Sequence, residues 1–196
     1  MRVSEKSGGL QLLRATDPKW AALAVERFDE VLIDHAHCEK KAAAHALSLL
    51  SAFPHQPGLA RAMARLAREE AGHLSQVLAL MERRRLELGR DPGDPYAQGL
   101  QAQVRQPARE RLLDRLLVSA LIETRSEERL RLLSENLRER ELRDFYARLA
   151  RSESGHGALF LRLARSVSPE CSRRLGELAR EEARLIADLP LRAAIH

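Results

Sequence analysis

Two lone glutamates and two Glu-x-x-His pairs recur along this chain at matched distances. Glu39 stands in an apolar stretch, and 31 residues later comes Glu70-Ala71-Gly72-His73. Glu123 stands in a second apolar stretch, and 30 residues later comes Glu153-Ser154-Gly155-His156. Between the halves the offset is 84 residues for the lone glutamates and 83 for the pairs. Helical residues three apart lie about 60° short of a full turn and about 4.5 Å apart along the axis. Each pair therefore projects from one face and can grip one metal ion. Carboxylate oxygen and imidazole nitrogen suit iron or manganese better than thiolate does. One Glu from each of two helices, with a Glu-x-x-His from each of two others, is the ligand list of a di-iron carboxylate site in a four-helix bundle. Glu70 and Glu153 are assigned as bridges, Glu39 and Glu123 as terminal ligands, and His73 and His156 as one ligand to each metal. Four carboxylates are too costly to bury as bare charges; two divalent ions neutralise them.

Chance does not account for the pattern. With 20 Glu and 7 His, about one Glu-x-x-His arises at random. Two at nearly the same distance from a lone apolar-face glutamate do not. Asp34-x-x-His37 has no counterpart in the other half and is read as surface. His35, one turn before Glu39, is read as a core histidine rather than a ligand.

The elements that must carry these ligands follow from periodicity and turn residues. The first long helix is predicted from Asp17 to Ala52, with Phe28, Leu32, His35, Glu39, Ala43, Ala46 and Leu50 inward. Pro54 to Gly58 turns the chain. A second helix runs to about Leu88, with Met63, Leu66, Glu70, His73, Val77 and Leu80 inward. Pro54 lies 15 residues after Glu39 and Pro57 lies 13 before Glu70, so an antiparallel hairpin brings both ligands to one level. Residues 89–107, rich in Gly, Pro and Asp, form a long crossover connection. The third helix spans 108–136 and the fourth ends near Val167. They carry Glu123 and then Glu153 and His156 inward, among Leu112, Leu116, Ala120, Leu142, Phe145, Leu149 and Phe160. Ser168-Pro169 starts a fifth helix that ends before Pro190. Residues 1–15 are an extended lead-in. The chain is read as one all-α domain, 1–196, a ferritin-like four-helix bundle with a long crossover and an additional C-terminal helix.

Composition agrees. Arg, Leu, Ala and Glu dominate, which favours helix. No run of eighteen apolar residues exists, so no membrane span is expected. No signal peptide is read at the N-terminus. Two cysteines, Cys38 and Cys171, offer neither a disulfide framework nor a zinc cluster, and are read as thiols of a cytoplasmic protein. The net charge of +5 suits a polyanionic partner. A rubrerythrin would add Cys-x-x-Cys motifs that this chain lacks. An iron-oxidising or iron-handling ferritin-type protein is the alternative reading. A radical-generating subunit needs a tyrosine beside the cluster; Tyr146 is near, but Phe145 fits the inward face better.

Several stretches resemble the MiaE-type tRNA hydroxylases. They are Cys38-Glu-Lys-Lys-Ala-Ala, Leu66-Ala-Arg-Glu-Glu-Ala-Gly-His, Pro95-Tyr-Ala, Ala120-Leu-Ile-Glu-Thr-Arg-Ser and Phe145-Tyr-Ala-Arg-Leu-Ala-Arg-Ser-Glu. The resemblance runs from about residue 10 to 190, with all six ligand positions kept and a departure at Ser154-Gly155-His156-Gly157. It implies a ferritin-like non-haem monooxygenase with two iron ions. Its substrates would be dioxygen and the isopentenyl group of 2-methylthio-isopentenyl-adenosine beside the tRNA anticodon, and an electron-donor protein or reductase would serve it. In that setting Lys40, Lys41, Arg83, Arg84, Arg85, Arg90, Arg105 and Arg109 are candidates for tRNA phosphates, and Trp20 and Tyr96 for stacking on a base.

Overall fold

Helix breaks fall largely where proline and glycine fall. The computed structural model describes residues 10–196, apart from the side chains of residues 108 and 109. Its helices are α1 (Lys19–Glu26), α2 (Phe28–Ala52), α3 (Leu59–Arg83), α4 (Pro95–Gln101), α5 (Ala108–Asn136), α6 (Arg140–Val167) and α7 (Cys171–Asp188), with no strand among the described residues. Of the lead-in, residues 1–9 lie outside the described residues, and 10–17 carry no helix. No helix among the described residues is long and apolar enough to cross a membrane. Two compact units can be told apart. One is Glu26–Pro92 with Ala193–Ile195; the other comprises the described residues to Val25, Gly93–Arg192 and His196.

The first unit is a hairpin of α2 and α3. Its turn closes with Leu59 N–H donating to the Gln56 carbonyl at 3.2 Å, beside Gly58 at φ +73°. That left-handed conformation is one glycine adopts without steric cost. Leu32, Ala36, Ala46 and Leu49 of α2 and Met63, Leu66, Val77 and Met81 of α3 are buried. Leu49, rather than the expected Leu50, is the buried member of the last turn. The first helix is also shorter than expected. It breaks at Arg27, whose φ of −109° and ψ of 42° are not helical. After α3 the chain turns at Arg84 and Arg85, the latter at φ +59°, and returns along α2. There Asp91 meets Lys40 at 3.3 Å and Lys41 at 3.7 Å. The surface reading of Asp34-x-x-His37 is thereby corrected for His37: it is buried, with Nε2 3.1 Å from the Leu88 carbonyl oxygen. Asp34 accepts the Ile195 N–H at 2.7 Å.

The second unit is a hairpin of α5 and α6, with α7 lying along α4, α5 and α6. Its turn, residues 137–139, contains neither Gly nor Pro, yet α5 ends at Asn136, where periodicity put it. The crossover is not structureless, because α4 forms within it. Asp94 caps it by accepting the Ala97 N–H at 3.0 Å, and Pro95 supplies the first turn. Gly99 lets α4 approach α7: a Cβ there would stand 2.7 Å from Leu185 Cδ2. Trp20 and Tyr96 are both buried, so neither presents a face for a base to stack on, contrary to expectation. Trp20 lies under the Arg129 guanidinium at 5.1 Å, and Tyr96 stacks on the His196 ring at 5.4 Å.

Two ion-pair groups hold this unit together. The first surrounds Asp114, which is fully buried. It accepts from the Arg105 N–H at 3.0 Å, from Arg105 Nη2 at 2.8 Å and from Arg174 Nη2 at 2.9 Å. Burial alone would raise this carboxyl, but the hydrogen bonds from Arg105 and Arg174 outweigh it and hold it below the usual carboxylate range. A depressed folded-state pKa contributes stability that is present above the unfolded value of about 3.9 and is lost as pH falls through the folded one. Asp114→Asn should therefore cost about 2–3 kcal/mol at pH 7, the scale of charged hydrogen bonds. The difference from wild type should shrink towards pH 2. Urea titrations across that range check it.

Candidate metal centre

Within the first unit, Glu39 leaves α2 and Glu70 and His73 leave α3 at the same level, as the hairpin arithmetic required. His73 Nδ1 lies 3.2 Å from Glu70 Oε2 and 3.5 Å from Glu39 Oε2. One donor atom from each of the three lies within 4.8 Å of the others. Glu70 is 1% exposed and the His73 side chain 12%. His35 Nε2 and Glu39 Oε1 are 2.8 Å apart. A carboxylate can only accept, so the imidazole carries its proton on Nε2 and donates it. His35 is thus the buried core histidine expected, and it orients Glu39.

The second unit repeats this arrangement. Glu123 leaves α5, and Glu153 and His156 leave α6, again with one donor atom from each within 4.8 Å of the others. His156 Nδ1 lies 3.4 Å from Glu153 Oε2, and its Nε2 lies 3.5 Å from Ser152 Oγ. All three side chains are buried.

Both triads suit a metal ion. Each offers two hard carboxylates and one imidazole, close enough together for a single ion to touch all three. In the first triad Glu39 Oε2 is buried and takes no hydrogen bond, an acceptor oriented towards its neighbours with nothing donating to it. A divalent cation satisfies that atom and offsets the carboxylate charge.

The glycines around the histidines differ in role. A Cβ on Gly157 would stand 3.4 Å from Thr124 Oγ1 and 3.6 Å from Glu123 Cβ, so this glycine lets α6 approach α5 at ligand level. Gly72 and Gly155 have no neighbour within 4 Å of that position. Gly72→Ala should therefore stabilise the protein by roughly 0.5–1 kcal/mol, the helix-propensity difference, with metal content unchanged. Thermal melts and metal analysis read both.

The basic candidates are distributed unevenly. Lys40 and Lys41 face Asp91, Arg105 holds Asp114, and Arg84 donates to Asp29 at 2.7 Å while its guanidinium lies 5.2 Å from the Phe28 ring centre. Arg83, Arg85 and Arg90 are exposed. The Arg109 side chain lies outside those described. Tyr146 and Phe145 are both buried, edge to face at 5.1 Å, so helix phase did not separate them as expected. The residue group that spacing missed is Arg125 with Glu182, Glu128 and Tyr96. Arg125 and Glu128 share α5, but Glu182 comes from α7 and Tyr96 from α4, and the four share no motif.

The comparisons with known proteins agree with this architecture. A solved Synechococcus protein, described as protein 43 with aldehyde deformylating oxygenase activity, matches with a TM-score of 0.90 and 38% identity over 94% of each chain. The fold is the all-α, ferritin-like class expected from the periodicity. A Pseudomonas putida protein named tRNA 2-(methylsulfanyl)-N(6)-isopentenyladenosine(37) hydroxylase is 42% identical over 79% of this chain and 75% of its own. A Salmonella typhimurium protein of the same name is 37% identical over 63% of this chain and 46% of its own. The model of one family matches residues 7–196, nearly the whole chain. On that match and these relatives, the chain belongs to the tRNA-(MS[2]IO[6]A)-hydroxylase (MiaE) family.

Proposed function

We propose that the two triads hold a di-iron centre and that the protein hydroxylates the isopentenyl group of 2-methylthio-isopentenyl-adenosine in tRNA. The observation that carries this reading is the duplicated triad: in each helical hairpin a glutamate and a Glu-x-x-His converge within the reach of one ion. The substrate comes from the family and from the names of its relatives. When bound, two irons supply the activation of dioxygen that side chains alone lack.

The chain's own residues do the rest. Glu39, Glu70 and His73 would hold one ion, and Glu123, Glu153 and His156 the other. His35 keeps Glu39 in a single orientation through their 2.8 Å hydrogen bond. Burial of the ligands keeps water from the reacting group. An electron-donor protein or reductase supplies the reducing equivalents, and the reaction belongs in the cytoplasm, with its tRNA.

The test is metal analysis followed by a nucleoside digest. Iron-loaded protein, given a reductant, dioxygen and tRNA carrying the prenylated base, should yield the hydroxylated nucleoside. Unchanged nucleoside after incubation with fully loaded protein contradicts the reading. Iron uptake far above about two per chain, in a large oligomer, replaces it with iron handling.

A further inference from the structure

We infer that the outer face of α6 is the surface on which the tRNA backbone docks. This rests on the tRNA reading above and goes beyond it by naming the surface.

Arg148, Arg151, Arg162 and Arg165 are all exposed on this helix. From residue 145 to 169 the only acidic residue is Glu153, which is buried. Between Arg148 and Arg165 this uninterrupted basic face extends about 25 Å at 1.5 Å per residue. Among the described residues, Arg148, Arg151 and Arg162 make no ion pair, and Arg143 one turn earlier makes none either. Many cations on other elements are neutralised locally, although among the described residues Arg61 and Arg68 of α3 and Arg180 of α7 are exposed and make no ion pair. Arg173, Arg174 and Arg184 of α7 pair with Glu170, Glu177 and Glu181. On α5, Arg131 pairs with Glu127 and Glu135, and Lys40 and Lys41 face Asp91. A row of exposed guanidinium groups, with Arg148, Arg151 and Arg162 outside any ion pair and small residues between them (Ser154, Gly155 and Ala158), fits a phosphodiester backbone, because arginine forks match phosphate oxygens. Such contacts position without reading sequence, as a substrate chosen by its modification requires. Glu153 and His156 leave the same helix on its buried face, across a diameter of about 10 Å. Phosphates held on the outer face are therefore fixed relative to the triad through one rigid element.

The experiment measures tRNA binding by the iron-loaded full chain across a salt series, for wild type and for Arg148→Ala/Arg151→Ala/Arg162→Ala. These side chains are exposed, so helicity and iron content should be retained, and both are measured. The expected result is an affinity at least tenfold weaker at low salt. The log–log salt slope should be shallower by about two to three, near 0.7–0.9 per lost phosphate contact. The Arg148→Lys/Arg151→Lys/Arg162→Lys protein, which keeps the charge, should stay within a few fold of wild type. A control of equal charge change on other helices, Arg61→Ala/Arg68→Ala/Arg180→Ala, should leave most of the slope intact. Unchanged affinity and slope in the α6 variant, or an equal loss in the control, overturns the inference. So does a variant that keeps tRNA binding but loses binding to an acidic protein. Failure of the docking surface alone leaves wild-type hydroxylation standing, whereas wild-type protein that neither binds nor modifies tRNA removes the functional reading itself.

Discussion

Glu70→Ala should bring iron from about two per chain to below one and abolish hydroxylation of the nucleoside. Glu70 is 1% exposed and stands 3.2 Å from His73, so its loss removes a proposed ligand oxygen and a charge at once. Within the hairpin the remaining carboxylate, Glu39, is already held by His35. Glu70→Gln separates the two effects. It keeps the shape and an oxygen donor but removes the negative charge. Two carboxylates about 5 Å apart repel by roughly 3 kcal/mol at an effective dielectric of 20. Metal-free Glu70→Gln should therefore unfold at a temperature no lower than metal-free wild type. Added iron should raise the wild-type midpoint through binding to the folded state only, and should leave that of Glu70→Gln nearly unmoved. Calorimetry with and without metal reads both signs. A Glu70→Ala protein that kept its full iron would remove Glu70 from the ligand set.

The second large effect lies away from the ligands. Arg125 is fully buried and donates to Glu182 Oε1 at 2.6 Å, to Thr16 Oγ1 at 3.0 Å, to Glu128 and to the Arg14 carbonyl oxygen at 2.7 Å. Tyr96 donates to the same Glu182 oxygen at 3.1 Å. One guanidinium thus ties α4, α5, α7 and the segment before α1 together. Arg125→Ala should cost about 3–5 kcal/mol, because it leaves a buried carboxylate without its counter-charge. Burial already pushes the Glu182 carboxyl above the usual range, and Arg125 offsets this only in part. Removing Arg125 raises it further. A raised carboxyl keeps its full stability below the unfolded value of about 4.3 and loses it as pH rises through the folded value. The variant's deficit should therefore be smallest near pH 4 and grow towards pH 7. Arg125→Met/Glu182→Met should recover much of the loss, since the charges then leave together. Denaturant titrations at the two pH values check these outcomes.

Legibility from sequence followed the range of each interaction. The convergence of the six proposed ligands into two triads was readable because helical period acts over three and four residues, and the fold repeats it. The α2–α3 turn was readable from Pro54, Pro57 and Gly58. The break at Arg27 was not, since no proline or glycine marks it. Asp94-Pro95 carried a cap and a first-turn proline, so α4 had a local signal that the glycine-rich surroundings hid. The burial of His37, Trp20 and Tyr96 depends on partners as far off as Leu88, Arg129 and Glu182, which periodicity does not reach. Arg105 looked like a free cation because Asp114 lies nine residues away and on another element. Net charge alone did not tell a paired arginine from an unpaired one.

Iron-edge anomalous diffraction from crystals of the loaded protein tests the central claim most directly. Two peaks should appear, one touching Glu39, Glu70 and His73 and the other touching Glu123, Glu153 and His156. A single peak, or peaks lying on other side chains, would contradict it.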